Sequence, residues 1–283
     1  MQDTKKRLKN QALDSLKIDS KQRKEIAERL ELCPSINYDS KGERLVIPYQ
    51  NLKGKPYQLP NGSKFIRYRN YSSTSVHKYK SPARKIVGDY DTPLYYPLEL
   101  QKQFQSKNIQ GNTIVLTEGE FKAITAVKNG INTVSFAGTS MYKSASAHSN
   151  ELRILIDSIQ SQKVNLVILF DADAINPYTK NGYTNQRLKN FYFSAKGFFD
   201  LVNSIHTQKD KSIYLGYIDH QENKAKGLDD LLLSVERSER KAIAKQLNSP
   251  KFCKKYFKLE KITNRTVKSK LKKLFPAYSL QSF

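Results

Sequence analysis

Short apolar runs that alternate with segments of helical spacing place the strongest constraint on the fold of this chain. They lie in residues 112–235 and are, in order, TIVLTEG, NTVSFAGTS, VNLVILFDAD and KSIYLGYID. Each run has the length of a strand, and VNLVILFDAD is apolar enough to be buried on both faces of a sheet. Strands that alternate with helices are typical of βαβ units. The sequence therefore predicts an α/β domain with a parallel sheet and helices on both faces.

The segments on either side of this region predict different structures. Residues 4–31 carry leucines and isoleucines at loosely helical spacing among many basic side chains, and residues 236–275 are similar. Between the first of these and the α/β domain, RLVIPYQNLKGKPY predicts a strand, a turn at Lys53-Gly54 and a second strand. The predicted organisation is a basic helical segment (1–41), a small α+β subdomain (42–111), the α/β domain (112–235) and a basic helical C-terminal segment (236–283).

The net charge follows the same division. The chain has 49 Lys and Arg against 26 Asp and Glu, a formal charge of +23. Residues 1–111 hold 22 basic and 11 acidic side chains, residues 112–235 hold 13 and 12, and residues 236–283 hold 14 and 3. A nearly neutral centre between two strongly basic flanks indicates that the flanks bind a polyanion such as nucleic acid. The alternative is that both flanks are solvated helical faces without a partner.

Composition excludes several classes of protein. No apolar run approaches the roughly 20 residues that a membrane span requires. The first ten residues, MQDTKKRLKN, lack the apolar core of a secretory signal. Cys33 and Cys253 are too far apart in the sequence for a disulfide scaffold or a zinc site built from cysteines. We therefore expect a soluble intracellular protein without a zinc site.

Acidic residues stand at or just after the carboxyl ends of three predicted strands. Glu118 ends the first strand, Asp171 and Asp173 follow the third, and Asp229 and Asp230 follow the fourth. Ligands of open parallel sheets bind at this edge, and like charges held together there require a cation. Because Mg²⁺ prefers carboxylate oxygens, the sequence predicts a divalent-metal site. For any single acid, and for Asp229 above all, helix N-capping or a solvated loop stays open as the alternative.

The region from the first to the third strand resembles a Toprim domain, a fold shared by bacterial-type primases, topoisomerases and some nucleases. The resemblance lies in IVLTEGEFKAITAVKNGINTVSFAGTS and VILFDADA, where Glu-Gly, Gly-Thr and Asp-x-Asp occur in the family's order and spacing. It implies a Rossmann-like sheet in which Glu118, Asp171 and Asp173 are catalytic and bind Mg²⁺ or Mn²⁺. Asp229 and Asp230 would be further metal ligands.

The preceding sequence is similar to the polymerase core of bacterial replicative primases. RLVIPYQNLKGKPY, FIRYRN, KYKSP and TPLYYPLEL carry this similarity, which with the Toprim-like region spans roughly residues 42–235. It implies that Arg67 and Arg69 hold nucleotide phosphates or template, and that Lys78 or Lys80 lies beside the incoming triphosphate. Among primase-like proteins, EGEFKA and KGLDDLL look closest to Toprim-like proteins of plasmids, phages and mobile elements.

The chain departs from the primase pattern at several points. The family often carries an acid three residues after the Gly of Glu-Gly, and here Lys122 or Ala123 stands near that place. The Asp-Pro-Asp motif of primases is only partly met by Gly227-Leu228-Asp229-Asp230. The zinc ribbon of replicative primases and the Walker motif of helicases are both absent from the sequence. We group Lys122 with the candidate nucleotide- or DNA-binding residues.

The resemblance implies a DNA primase that joins ribonucleotides on a single-stranded DNA template by two-metal-ion nucleotidyl transfer. It would act in the cytoplasm of a prokaryotic cell, in the replication of a plasmid, phage or mobile element. Its partners would be the template, nucleoside triphosphates and a helicase or replication initiator, with Mg²⁺ or Mn²⁺ as the cofactor and no membrane. Two alternatives stay open: a Toprim metal-dependent nuclease or nicking enzyme, and a non-catalytic nucleic-acid-binding accessory protein of replication.

Overall fold

The chain folds into two compact units. The computed structural model describes residues 19–41, 43–72, 75, 77–83, 92–138, 145–174, 186–205, 210–219, 225–252 and 255–274. The first unit comprises Met1–Gln50 and Lys55–Asp91, and the second comprises Asn51–Gly54 and Thr92–Phe283. Residues 92–111, which the sequence groups with the α+β subdomain, belong to the second unit, because Leu94, Tyr96 and Leu100 lie in its core. The predicted helix over residues 4–18 lies outside the described residues.

The described residues of the first unit form one helix and a four-stranded antiparallel sheet. Helix α1 (Ser20–Leu32) begins after Asp19, whose carboxylate accepts a hydrogen bond from the Gln22 N–H at 2.7 Å. The sheet has the strand order β1-β2-β3-β4, with β1 at Asn37–Asp39, β2 at Arg44–Pro48, β3 at Ile66–Asn70 and β4 at Tyr79–Lys80. Alternate residues of β2 and β3 are buried, so one face of this sheet is packed and the other is partly exposed.

The second unit is built on a five-stranded sheet with the order β6-β5-β7-β8-β9. The strands are β5 (Thr113–Glu118), β6 (Thr133–Phe136), β7 (Lys163–Phe170), β8 (Asp210–Ile218) and β9 (Phe257–Ile262). Strands β5 to β8 are the four predicted apolar runs, and they pair in parallel, whereas β9 pairs antiparallel with β8 at the edge. The α/β fold predicted from the strand–helix alternation is confirmed.

Helices cover both faces of this sheet. In chain order they are α2 (Leu98–Gln105), α3 (Glu120–Lys128), α4 (Ala145–Asp157), α5 (Gln186–Ser204), α6 (Leu228–Leu233), α7 (Arg237–Asn248) and α8 (Val267–Leu274). Alternate residues of β5 enter different hydrophobic clusters: Ile114 and Leu116 pack with α4, α5 and α8, and Val115 packs with α3, α6 and α7. The sheet is therefore the central layer of three. None of the described helices is long and apolar enough to cross a membrane.

The sequence predicts a helical C-terminal segment, but the structure contains a strand within it. Helices α7 and α8 are present, but FKLEKI between them forms β9, with Phe257 and Ile262 buried. The strand forms because the edge of β8 has unpaired backbone groups that a further strand can satisfy. Gly216 of β8 permits this pairing, since a Cβ placed there would lie 1.7 Å from the Lys258 carbonyl oxygen.

Candidate active site at the carboxyl edge of the sheet

Strand register brings the predicted acidic residues to one edge of the sheet. Thr117 of β5 pairs with Leu169 of β7, so Glu118 ends β5 at the level where β7 ends. Asp171 follows β7 directly, because β7 ends at Phe170. Both strands run parallel, and their carboxyl ends therefore open onto the same edge.

The turn from β5 into α3 depends on a glycine. Gly119 has a φ of +96°, a conformation that residues with a Cβ rarely adopt, and it lies between the end of β5 and the first residue of α3. The turn reverses the chain so that the first turn of α3 lies above the sheet edge. It thereby places Lys122 among the carboxylates at this edge.

Lys122 forms an ion pair with Asp171 inside the site. Its Nζ donates a hydrogen bond to Asp171 Oδ2 at 2.7 Å, and the exposed fractions of the two side chains are 17% and 13%. Burial alone would lower the pKa of the Lys122 ammonium, but Asp171, Asp229 and Glu118 outweigh it and raise the pKa. Burial raises the pKa of the Asp171 carboxyl, and the attraction of Lys122 opposes that rise. The site thus holds its own positive charge amid carboxylates.

The loop before α6 completes this arrangement. The Ala172 N–H donates a hydrogen bond to the Lys226 carbonyl at 2.9 Å, which ties the loop to the end of β7. A Cβ added at Gly227 would lie 2.6 Å from Lys122 Cε and 2.7 Å from Asp229 Oδ1. Both side chains therefore occupy space that only a glycine leaves open. Asp229 Oδ1 is buried and accepts no hydrogen bond from the residues that the structure describes.

The other two predicted acids have partners of their own. Asp173 pairs with Lys226 at 3.0 Å, and the Lys226 side chain is 59% exposed. Asp230 accepts a hydrogen bond from the Gly227 N–H at 3.1 Å and so caps the first turn of α6. The sequence leaves helix N-capping open as a role for Asp229, but in the structure Asp230 performs it. Metal binding by Asp230 stays a prediction.

The donor set suits a divalent cation in its chemistry. Carboxylate oxygens are the ligands that Mg²⁺ prefers, and Asp229 Oδ1 is a buried carboxylate oxygen without a hydrogen bond from described residues. Within the described ranges, no three or more His, Cys, Asp or Glu side chains are grouped so that they could hold a metal ion. Mg²⁺ needs fewer, since it is usually bound by one or two carboxylates together with waters and substrate phosphates.

In the first unit, the two predicted phosphate-binding arginines are buried. Arg69 donates hydrogen bonds to the hydroxyls of Tyr71 at 2.9 Å and Tyr79 at 2.8 Å, and it forms an ion pair with Glu25 of α1. Arg67 donates from Nε to Ser81 Oγ at 3.1 Å. These contacts give both guanidinium groups a role within the unit, and their role toward nucleotide or template stays a prediction.

The two predicted triphosphate-binding lysines are exposed. Lys80 ends β4, beside Tyr68 of β3, and Lys78 precedes β4 in the chain. Tyr68 itself carries the Arg44 guanidinium over its ring, 4.1 Å from the ring centroid. This partly exposed sheet face therefore combines an aromatic ring with positive charge.

Sequence reasoning missed the contribution of Lys226 and the spatial role of Gly227. Lys226 pairs with Asp173, and Gly227 makes room for Lys122. The signal for Gly227 is the absence of a side chain in KGLDDLL where the primase motif has an acid. No local pattern points to Lys226, because its role depends on the loop lying against the end of β7.

Comparison with sequence families gives one match. A model for a domain of unknown function, DUF3854, matches residues 104–238, somewhat less than half of the chain. The sequence matches none of the curated proteins with which it was compared.

Solved structures of primases are among those to which the chain is similar. One is the DnaG primase catalytic domain bound to single-stranded DNA (14% identity, TM-score 0.45, covering 77% of this chain and 57% of that one). Another is the Escherichia coli primase catalytic core (14% identity, TM-score 0.43, covering 77% of this chain and 59% of that one). A third is the Aquifex aeolicus primase with its zinc-binding and RNA polymerase domains (16% identity, TM-score 0.46, covering 92% of this chain and 56% of that one). The chain thus spans between 56% and 59% of the length of these three chains.

Proposed function

We propose that this chain is a primase-like nucleotidyltransferase that synthesises short primers on single-stranded DNA. The observation that carries the proposal is the arrangement of carboxylates around the Lys122 ammonium: Asp171 after β7 is in direct contact with it at 2.7 Å, Asp229 in the first turn of α6 borders the same space at Gly227, and Glu118 at the end of β5 acts on its charge. Carboxylates gathered at this edge of a parallel sheet are suited to binding a divalent cation and a phosphate-bearing substrate. A role in the replication of a plasmid, phage or mobile element rests on the resemblance of EGEFKA and KGLDDLL alone.

In this proposal one or two of the carboxylates at this edge, among them Asp229 with its buried Oδ1, would hold Mg²⁺ or Mn²⁺ together with waters and substrate phosphates. A bound divalent ion would neutralise the triphosphate and stabilise the in-line transition state. Lys122 keeps the Asp171 carboxylate fixed beside the reacting groups through its 2.7 Å hydrogen bond. Gly119 brings the start of α3 to the sheet edge without a Cβ that would obstruct the approach of phosphate.

Exposed lysines support binding of the template backbone. Helix α8 buries Leu271 and Leu274 against the core and leaves Lys268 and Lys272 exposed. In the first unit, Lys80 is exposed beside Tyr68, an arrangement suited to phosphate contact with base stacking. Binding through such side chains is independent of sequence and weakens as salt concentration rises.

A second candidate is a nucleic-acid-binding accessory protein without catalysis. The observation that favours it is the ion pair between Lys122 and Asp171, since Asp171 Oδ2 then already has a cationic partner within the chain. In this case the carboxylates and Lys122 would stabilise the carboxyl edge of the sheet, and the basic surfaces would bind nucleic acid.

Incubation of the full chain with single-stranded DNA, labelled nucleoside triphosphates and Mg²⁺ or Mn²⁺ separates these functions. New short labelled oligomers, absent when the metal is removed with a chelator, are the expected result. Shortened DNA without new oligomers would refute the proposal in favour of a nuclease. A salt-sensitive mobility shift without either product would refute it in favour of the accessory protein.

A further inference from the structure

Basic side chains dominate the surface that β9 and α8 form at one edge of the second unit. Residues 257–274 hold seven basic residues and one acid, Glu260. Helix α8 buries Leu271 and Leu274 against the core and leaves most of its lysines exposed. We define the α8 surface by five exposed basic residues, which are Lys258, Arg265, Lys268, Lys272 and Lys273.

Strand register places Lys258 on the same side of the sheet as α8. Residues that lie opposite each other in an antiparallel pair point to the same face, and Lys258 lies opposite Tyr217 of β8. Tyr217 belongs to the hydrophobic cluster that α8 completes. Glu260, two residues further along β9, points to the same face and accepts hydrogen bonds from Lys270 at 2.5 Å and from Lys273. The basic residues of β9 and α8 therefore belong to one surface.

The acids at this surface lie deeper than the lysines that pair with them. Asp219 is 12% exposed, whereas its partner Lys258, 3.6 Å away, is 54% exposed. Glu260 is 17% exposed, whereas its partner Lys273 is 67% exposed. Burial would raise the pKa of the Glu260 carboxyl, but the hydrogen bonds from Lys270 and Lys273 outweigh it and lower the pKa. Positive charge therefore forms the outer layer of this surface and negative charge the inner one.

Helix stability accounts for only part of this pattern. Lys272 and Lys273 are in the last turn of α8, where positive charge interacts favourably with the helix dipole. Lys268 is in the first turn, where positive charge is unfavourable, and it repels Lys272 four residues later. Among the residues that the structure describes, no acid forms an ion pair with Arg265, Lys268 or Lys272. A partner with negative charge would compensate for this repulsion.

The chemistry of the α8 surface favours a phosphate backbone over other anionic partners. A protein interface has an apolar centre, but the large hydrophobic side chains that are exposed among the described residues are Ile154, Phe193 and Leu233, all outside 257–274. An amphipathic helix binds a membrane surface through its apolar face, and that face of α8 is buried in the core. A phosphate backbone requires only positive charge and hydrogen-bond donors.

We propose that the α8 surface binds the phosphate backbone of nucleic acid, whether single-stranded or duplex. The aromatic residues within the described range 255–274, Tyr256 and Phe257, are buried, so this range offers no ring on which unpaired bases could stack. Its contacts are therefore with phosphates, which both forms of nucleic acid present. The inference rests on the proposed function for the choice of nucleic acid as the partner. It adds the binding of duplex, which a site for single-stranded template does not require.

Fluorescence anisotropy of the full chain with a labelled single strand, and with a labelled duplex of the same sequence, tests this inference. The α8 variant neutralises three exposed residues of the surface, by Arg265→Gln, Lys268→Gln and Lys272→Gln. The control variant removes the same charge from three exposed lysines on α2, on α3 and at the start of β7, by Lys102→Gln, Lys128→Gln and Lys163→Gln. Affinities are measured between about 50 and 200 mM salt, where binding through phosphates weakens strongly.

The slope of log affinity against log salt concentration is the readout. In the α8 variant it should become less steep by about two for the single strand and by nearly three for the duplex, since each lost phosphate contact removes about 0.7 and 0.9. The control should keep slopes close to those of the wild type. Equal losses in the two variants would refute the inference, because they would reflect the overall charge. A loss for the single strand alone would also refute it.

Two further outcomes separate this inference from its alternatives. Wild-type slopes in the α8 variant would refute it, and a loss of binding to phosphatidylserine vesicles by that variant would then identify a membrane as the partner. Primer synthesis is not part of the readout. A chain that makes no primers, and whose α8 variant loses slope on both probes, would refute the proposed function alone. A chain that makes primers, and whose α8 variant keeps both slopes, would refute this inference alone.

Discussion

Substitution of Gly227 by alanine should destabilise the second unit through Lys122. The backbone at this position accepts alanine, so the cost comes from the new Cβ, 2.6 Å from Lys122 Cε and 2.7 Å from Asp229 Oδ1. Both distances are shorter than a Cβ tolerates to a carbon or an oxygen without movement. The contacted atoms lie near the ends of flexible side chains and can give way, but movement of Lys122 would disturb its 2.7 Å contact with Asp171. Overpacking costs about 1–3 kcal/mol, and we expect Gly227→Ala to lie at the lower end of that range.

The origin of this cost can be isolated with a double-mutant cycle. In a Lys122→Ala background the contact with Lys122 Cε is gone and only the contact with Asp229 remains, so the effect of Gly227→Ala should shrink by about half or more. Coupling between side chains in contact is usually about 0.5–3 kcal/mol. Urea denaturation of the wild type, the two single variants and the double variant gives the four free energies of unfolding from which this coupling is calculated.

Gly138→Ala is the matched control for this cycle. Gly138 follows β6, and a Cβ there would meet none of the described residues within 4 Å. The substitution should change stability by no more than about 0.5 kcal/mol, as surface substitutions usually do. Equal costs of Gly227→Ala with and without the Lys122 side chain would refute the reasoning that position 227 is a glycine to admit that side chain.

Two further predictions concern other parts of the fold. Burial would raise the pKa of Glu25, but Arg29 and Arg69 outweigh it and lower the pKa below its ordinary value of 4.5. A lowered folded-state pKa gives stability that is present above pH 4.5 and lost as the pH falls through the lowered value. The thermal midpoint of Glu25→Gln should therefore vary less with pH below 4.5 than that of the wild type, and parallel curves would contradict the ion pairs. Gly216→Ala places a Cβ 1.7 Å from the Lys258 backbone oxygen, which no side-chain movement can relieve. It should cost about 3 kcal/mol or more and speed hydrogen exchange in β9, and unchanged urea denaturation would contradict the register of β8 and β9.

Much of the second unit could be predicted from its sequence because its parallel strands are buried on both faces. VNLVILF became β7, with most of its residues buried, and TIVLTE became β5. Such strands are apolar at nearly every position, so a short stretch of sequence is enough to predict them. The same holds for the acids at their carboxyl ends, since the parallel arrangement decides where those ends meet.

Strand β9 could not be predicted, because its charged sequence has no strict alternation. FKLEKI carries three charged residues and is a strand only because β8 offers an unpaired edge. Strand preference depends strongly on such a tertiary context. An edge strand such as β9 is therefore specified by its partner strand as much as by its own residues.

The environments of Lys122 and Arg69 could not be predicted, because both depend on residues distant in the sequence. Lys122 is on α3, where a lysine usually faces solvent, and only 17% of its side chain is exposed because Gly227 leaves space. Arg69 is predicted to bind phosphate, but in the structure Glu25 of α1 and two tyrosine hydroxyls receive its hydrogen bonds. Neither sequence segment alone contains this information.

The most direct test of the account is primer synthesis by Glu118→Gln, which removes one carboxylate of the cluster without changing its size. Asp200→Asn is the control, since the Asp200 side chain is 55% exposed and pairs with Lys196 on α5. We expect Glu118→Gln to lose metal-dependent synthesis on single-stranded DNA and to bind that DNA as tightly as the wild type at equal salt. The control should keep both properties. Synthesis by Glu118→Gln at the wild-type rate would contradict the claim that the carboxylates at this edge of the sheet form the active site.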